Sequence, residues 1–245
     1  MFNSSLTVWE WAALGVSLFL IYSLTYTGVR VYRLLQNSKI LVAETVNYNR
    51  LVPSASQTIV VLGDSTAAGT GATSTDSIAG RLGALYTHAT VHDYGVVGLK
   101  LKGLSSQLDS LPEIKANLVV VQIGANDITY FTNLSDIRAQ TKVVLTKINK
   151  LKAPGGKVLV LHSGLVGNAP LFPTWLSWLW NNRTRAVRDI YIQEVPLAGA
   201  TYVDLVNSSV DKIFANDPKK YYASDMFHPS GDGYGVWFEE VKKVL

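Results

Sequence analysis

Apolar residues fall along the chain in distinct arrangements. From Trp11 to Val29 they run unbroken by charge, between Glu10 and Arg30, over about the ~20 residues an α-helix needs to cross a bilayer. Trp9 and Trp11 at one end and Tyr26 and Tyr32 at the other suit the interfacial belts where amphipathic rings settle. The pattern predicts an N-terminal transmembrane helix: a membrane anchor over 1–29, with its span at 11–29. A cleavable signal peptide fits poorly, because no Lys or Arg precedes the run and no small-x-small cleavage site follows it. A buried core helix is the weaker alternative, because every face of the run is apolar.

Residues 30–56 are mixed in character and end in Pro53-Ser54-Ala55-Ser56, which reads as a juxtamembrane linker. The rest, 57–245, reads as one folded domain. Short β-branched runs at Thr58–Leu62, Leu118–Ile123, Val158–Leu161 and Thr201–Val203, with a weaker one at Ala89–Tyr94, predict strands. Between them lie helical stretches such as Ser135–Leu151, where Ile137, Val144, Leu145, Ile148 and Leu151 recur at helical spacing. A final helix starts at a Ser230 cap, with Tyr234, Trp237, Phe238 and Val241 on one face. Strands alternating with helices imply an α/β fold, a mostly parallel sheet covered on both faces. Such folds bind ligands outside the carboxyl ends of their strands.

Composition narrows the classes. At 245 residues, 48% hydrophobic and 16% charged, the chain is too apolar for disorder and long enough for one sizeable core plus an appendage. The net charge of +4 from 22 basic and 18 acidic residues is not clustered in the domain, so nucleic acid is not an expected partner. Arg30, Arg33 and Lys39 follow the span, and no basic residue precedes it. That bias places the domain on the cytoplasmic side, with the extracytoplasmic side as the alternative. The absence of cysteine excludes disulfides, thiolate metal sites and a cysteine nucleophile.

The residues after each apolar run carry the candidate chemistry. Gly63-Asp64-Ser65-Thr66-Ala67-Ala68-Gly69-Thr70-Gly71 matches neither a dinucleotide fingerprint nor a phosphate loop. It leaves Ser65 on a strand-to-helix turn, either as an exposed nucleophile or as a plain helix cap. His228 lies three residues after Asp225, a spacing that lets the carboxylate orient the imidazole while its other nitrogen faces a serine. An ordinary Asp turn is the bland reading. His88, His92 and His162 are the other histidines, and His162 has no carboxylate nearby in sequence. Asn126, in Gly124-Ala125-Asn126-Asp127, and the Ser65 N–H can serve an oxyanion, and a glycine such as Gly98 can add a further N–H. Asp127 reads as a brace for its loop.

Taken in order, Gly63-Asp64-Ser65, Gly98, Gly124-Ala125-Asn126-Asp127 and Asp225-Met226-Phe227-His228 resemble the four blocks of the SGNH (GDSL) hydrolase family. The extended strings resemble in particular its bacterial lysophospholipase and esterase-like branch. The resemblance covers 57–245 and implies a three-layer α/β/α, flavodoxin-like fold. It implies metal-free, cofactor-free ester or thioester hydrolysis, with Ser65 as nucleophile, His228 as base and Asp225 as its orienter. Ser65 and Gly98 N–H and the Asn126 side chain would form the oxyanion hole. Thr66 follows the serine where the family often has Leu. Asp93 and Val97 stand where Asn and Ser are common, which bears on hydrogen bonding around Gly98.

For substrate, the segment Leu171–Trp180, with Leu171, Phe172, Trp175 and Trp178 as candidate contacts, reads as an acyl pocket, a surface dipping into the bilayer, or core. The expected partners are an acyl-ester or lipid substrate, lysophospholipids among them, and the membrane. Two other classes compete: a metal-dependent phosphoesterase using Asp64, Asn126, Asp127 and His228, and a non-catalytic membrane-tethered binding module.

Overall fold

A computed structural model describes residues 7–245; residues 1–6 of the expected anchor lie outside the described residues. Five strands, β1 (Gln57–Gly63), β2 (Ala89–Gly95), β3 (Ala116–Gln122), β4 (Lys152–Leu161) and β5 (Thr201–Val203), pair in parallel in the order β2-β1-β3-β4-β5. This is the flavodoxin-like order, with the topological switch point between β1 and β3. All five predicted strands are present.

Side chains alternate across the sheet as the pleat requires. Val60 and Leu62 of β1 and Val119 and Val121 of β3 join one core cluster with Leu104, Ile137 and Val187, contributed by α3 (Leu101–Ser110), α5 (Leu134–Leu151) and α6 (Ser177–Leu197). Ile59, Val61, Leu118 and Val120 join the other cluster with Leu82, Val210 and Trp237, contributed by α2 (Ile78–Leu85), α7 (Ser208–Asn216) and α9 (Gly231–Lys242). Short α4 (Ala125–Thr129) and α8 (Pro218–Tyr221) complete a three-layer α/β/α sandwich. Ser230 caps α9 by accepting from the Gly233 N–H at 3.2 Å. Tyr234, Trp237, Phe238 and Val241 are all buried beneath that helix, each worth roughly 1.5–3 kcal/mol for a large apolar side chain.

The N-terminal region differs from expectation. The helix α1 runs from Val8 to Glu44, starting in a Thr7–Glu10 capping box, so 30–44 is helix and not linker. No glycine or proline occurs between Gly28 and Pro53, and nothing before Glu44 breaks the backbone ladder. Residues 45–56 are also built into the fold. Arg50 pairs with Val91 of β2, and its guanidinium donates to the carbonyls of Gly83 at 2.7 Å and Tyr86 at 2.6 Å. Of the described residues, α1 alone is long and apolar enough to cross a membrane, and its apolar window is unburied.

Candidate active site

The site grows from the ends of β1 and β3. Gly63 closes β1 with φ 138°, where a Cβ would stand 1.7 Å from the Gln122 carbonyl oxygen of β3; only glycine permits this turn. Beyond it the Asp64 N–H donates to that same carbonyl at 2.9 Å. Asp64 Oδ1 accepts from the Thr66 N–H at 2.9 Å and the Thr66 hydroxyl at 2.8 Å. Burial pushes the Asp64 carboxyl up to about 6 against these donors. The turn so fixed carries Ser65 over the strand ends.

From the opposite side, the chain between α8 and α9 folds into a tight loop. The Ala223 N–H donates to the His228 carbonyl at 2.8 Å and the Met226 N–H to Ala223 at 2.9 Å, with Met226 itself at φ 54°. Inside the loop, Asp225 Oδ1 accepts from the N–H groups of Phe227 and His228 at 3.0 Å each. Asp225 Oδ2 lies 2.6 Å from His228 Nδ1. His228 Nε2 lies 2.9 Å from Ser65 Oγ. A carboxylate only accepts, so Nδ1 carries the proton and Nε2 accepts from the serine hydroxyl. Burial pushes the Asp225 carboxyl up, but the His228 hydrogen bond and charge and the two N–H donors outweigh it and hold the group below the usual carboxylate range.

Gly98, at φ 79°, and Asn126 line the same cavity as Ser65 and His228. Among the described residues, neither the Ser65 nor the Gly98 N–H donates to the protein. Asn126 Nδ2 donates to the Leu99 carbonyl at 3.0 Å, which orients the amide and leaves its second N–H. Asp127 accepts from the Leu101 N–H at 2.9 Å and so braces the loop. Asp93, the departure in the second block, is buried; it accepts from the Gly95 N–H at 2.9 Å and the Tyr48 N–H at 3.2 Å. Burial pushes its carboxyl up to about 7. The Asn47 amide also donates to the Gly95 carbonyl at 2.9 Å, so the segment after α1 holds the end of β2, from which the chain runs on to Gly98.

The remaining histidines stand apart. His162 Nδ1 donates to the Ser163 carbonyl, so Nε2 accepts from the Tyr202 hydroxyl at 3.0 Å, and burial lowers its pKa to about 4. His92 lies within β2, stacked near Tyr94. Among the described residues no group of three or more His, Asp or Glu could hold a metal ion; Asp64 Oδ1, Asp127 and His228 each have protein partners.

A profile of the GDSL-like lipase/acylhydrolase family matches residues 61–236. The chain belongs to this family, the SGNH hydrolases. A GDSL-like esterase of Mycobacterium tuberculosis is 26% identical over 186 residues, which cover 73% of this chain and 58% of that protein; the match spans little over half of the relative's length. Among solved structures, a lipolytic protein of the G-D-S-L family from Desulfitobacterium hafniense superposes with a TM-score of 0.60 at 18% identity, covering 77% of this chain and 99% of its own. An acetylxylan esterase from Geobacillus stearothermophilus does so with a TM-score of 0.56 at 17% identity, covering 79% and 95%. These likenesses establish the SGNH fold.

In this SGNH chain, Ser65 and His228 open onto a cavity of about 640 Å³, within the range of small-molecule sites. Leu171 and Phe172 line it. Trp175 and Trp178 do not: they are 67% and 59% exposed, because one turn of 3-10 helix and the start of α6 direct them outward. Trp180, from the same segment, lines the cavity instead and packs on Phe172 with ring centroids 4.2 Å apart. Its position on the inward face of α6 follows from a helix start that composition alone does not locate.

Proposed function

We propose that the protein hydrolyses carboxylic acyl esters through an acyl-enzyme. The observation that carries this reading is the Asp225–His228–Ser65 relay, hydrogen-bonded in series at an apolar cavity beside uncommitted N–H donors. Ser65 Oγ attacks the ester carbonyl as His228 Nε2 takes its proton. Asp225 holds the proton on Nδ1 and stabilises the imidazolium. The negative charge on the tetrahedral oxygen falls to the Ser65 and Gly98 N–H groups and the Asn126 amide, where one donor is worth about 3 kcal/mol. His228 returns its proton to the departing alkoxide, then takes one from water as the water oxygen attacks the acyl carbonyl, and finally gives that proton to Ser65 Oγ as the acid departs, which restores both side chains. Family membership and the depressed Asp225 carboxyl support the assignment.

The N-terminal part of α1, uncharged from Trp11 to Val29 and exposed up to Tyr26, anchors the domain in a membrane. The unbroken continuation to Glu44 speaks against a cleaved leader. Arg30, Arg33 and Lys39 favour the cytoplasmic face; protease accessibility of the domain in sealed cells reads that directly. The catalytic test is hydrolysis of p-nitrophenyl esters by the full-length chain in detergent micelles. Ser65→Ala should abolish turnover and also labelling by a fluorophosphonate. A variant as fast as the parent refutes the serine mechanism.

A further inference from the structure

The half of α1 beyond the apolar run lies against the domain. Up to Tyr26 every described position of the helix is exposed; from there Thr27, Val31, Leu34, Ser38, Leu41 and Thr45 are partly covered, the spacing of one helical face. Three polar contacts pin this face, and each reaches a loop of the site. Arg30 donates to the carbonyl of Pro170, next to Leu171. Asn37 Nδ2 donates to the carbonyl of Ser224 at 2.9 Å, next to Asp225. The Thr45 hydroxyl meets the Thr70 hydroxyl at 2.9 Å, on the Ser65 loop. Between the pins, Val31, Leu35, Ser38 and Val42 line the same cavity as Ser65 and His228.

We propose that this half of α1 is the outer wall of an acyl-chain site, so that the membrane helix selects medium- and long-chain esters. The proposal rests on the ester-hydrolase reading and names its substrate class. Three of the four wall residues are aliphatic, and Phe172 and Trp180 line the same cavity. Asp211 is the one carboxylate on the lining, and burial raises its pKa, so the wall suits hydrocarbon and not a charged headgroup. From Val31 to Val42 the helix rises about 16 Å, room for far more than an acetyl group. Each methylene buried there is worth about fourfold in binding. The same helix being the membrane anchor, a chain drawn from the bilayer meets this wall first.

The test uses the full-length chain in detergent micelles with p-nitrophenyl acetate and p-nitrophenyl decanoate. Val42→Trp and Leu35→Trp fill the cavity from the wall; Ile40→Trp, at an exposed position off the lining, is the control. The wall variants should lower the decanoate-to-acetate ratio of kcat/KM at least tenfold, while Ile40→Trp, off the lining, changes neither rate. Leu35 is 46% exposed and tolerates the larger side chain, so it decides the case if Val42→Trp fails to fold. An unmoved decanoate-to-acetate ratio, equal loss on both esters in Leu35→Trp, or the same shift in Ile40→Trp overturns the proposal. A second measurement needs no turnover: a ten-carbon diazirine fatty acid, photolysed with the Ser65→Ala chain, should label peptides within 31–42. Labelling that spares this segment overturns the wall even where hydrolysis is intact, and hydrolysis that persists in Ser65→Ala overturns the serine reading while leaving the labelling result standing.

Discussion

Replacing Asp225 by Asn separates orientation of the base from everything else at the site. Asn Oδ1 can still accept the two loop N–H bonds that Asp225 Oδ1 receives at 3.0 Å, so the loop and fold should persist. What changes is the 2.6 Å contact to His228 Nδ1, where an amide nitrogen now faces the ring and favours a proton on Nε2, the wrong tautomer for a base. The imidazolium formed during attack also loses its counter-charge. At a charge separation of about 4 Å and an effective dielectric of about 20, that interaction is worth about 4 kcal/mol, or roughly a thousandfold in rate. With the tautomer effect the expected fall in kcat is ~10³ to 10⁴. Asp225 is fully buried and does not line the cavity, so KM should stay within about threefold. Steady-state kinetics on a p-nitrophenyl ester, with circular dichroism to confirm the fold, measure both. A fall in kcat of less than tenfold with the fold intact refutes the role assigned to Asp225.

Other consequences follow from the same geometry. Gly63→Ala places a methyl 1.7 Å from the Gln122 carbonyl at φ 138°, so it should cost about 3 kcal/mol or more from clash and strain together; a thermal melt within 2 °C of the parent would contradict this. Asp93 ionises at about 7 in the fold against 3.8 in the unfolded chain, so the folded state holds the extra proton between those values and parent stability falls as pH rises through that window. Asp93→Asn lacks this loss, which is on the order of 4 kcal/mol at most. Its deficit relative to the parent should therefore shrink from pH 4 to pH 7 in denaturant titrations, and a growing deficit would sink the assignment. His162→Gln should keep hydrolysis within fivefold, because His162 Nε2 serves Tyr202 and not Ser65; a loss as deep as that of His228→Gln would reassign the base.

The strands were legible because a buried parallel strand is a short β-branched run, and periodicity needs no tertiary context to show it. Ser65, Asp225 and His228 stood out as candidates for a different reason: they sit in turns whose local bonds, such as Asp64 to Thr66 and Asp225 to its own loop N–H groups, depend on residues two or three positions away, whereas Gly98 and Asn126 stood out through the order of the sequence blocks. The aromatic segment was not resolved in this way. Whether Trp175, Trp178 or Trp180 faces inward depends on where α6 begins, and shifting a helix start by one residue rotates every side chain by about 100°.

By itself, then, the sequence determined the apolar N-terminal run, the alternation of strands and helices, and the identity of the residues whose chemistry suits a serine hydrolase. The tertiary structure supplied the contact itself: it brings His228 Nε2 to 2.9 Å from Ser65 Oγ across 163 positions of chain, a distance that no local pattern encodes. It also decided that residues 30–44 continue the helix and form one side of the cavity. Val31, Leu35, Ser38 and Val42 repeat at helical spacing in the sequence, but a mostly apolar stripe of this kind does not name the surface that covers it. What covers it depends on free energy shared between distant segments: three hydrogen bonds and an apolar surface become favourable only once the site loops stand beside the helix.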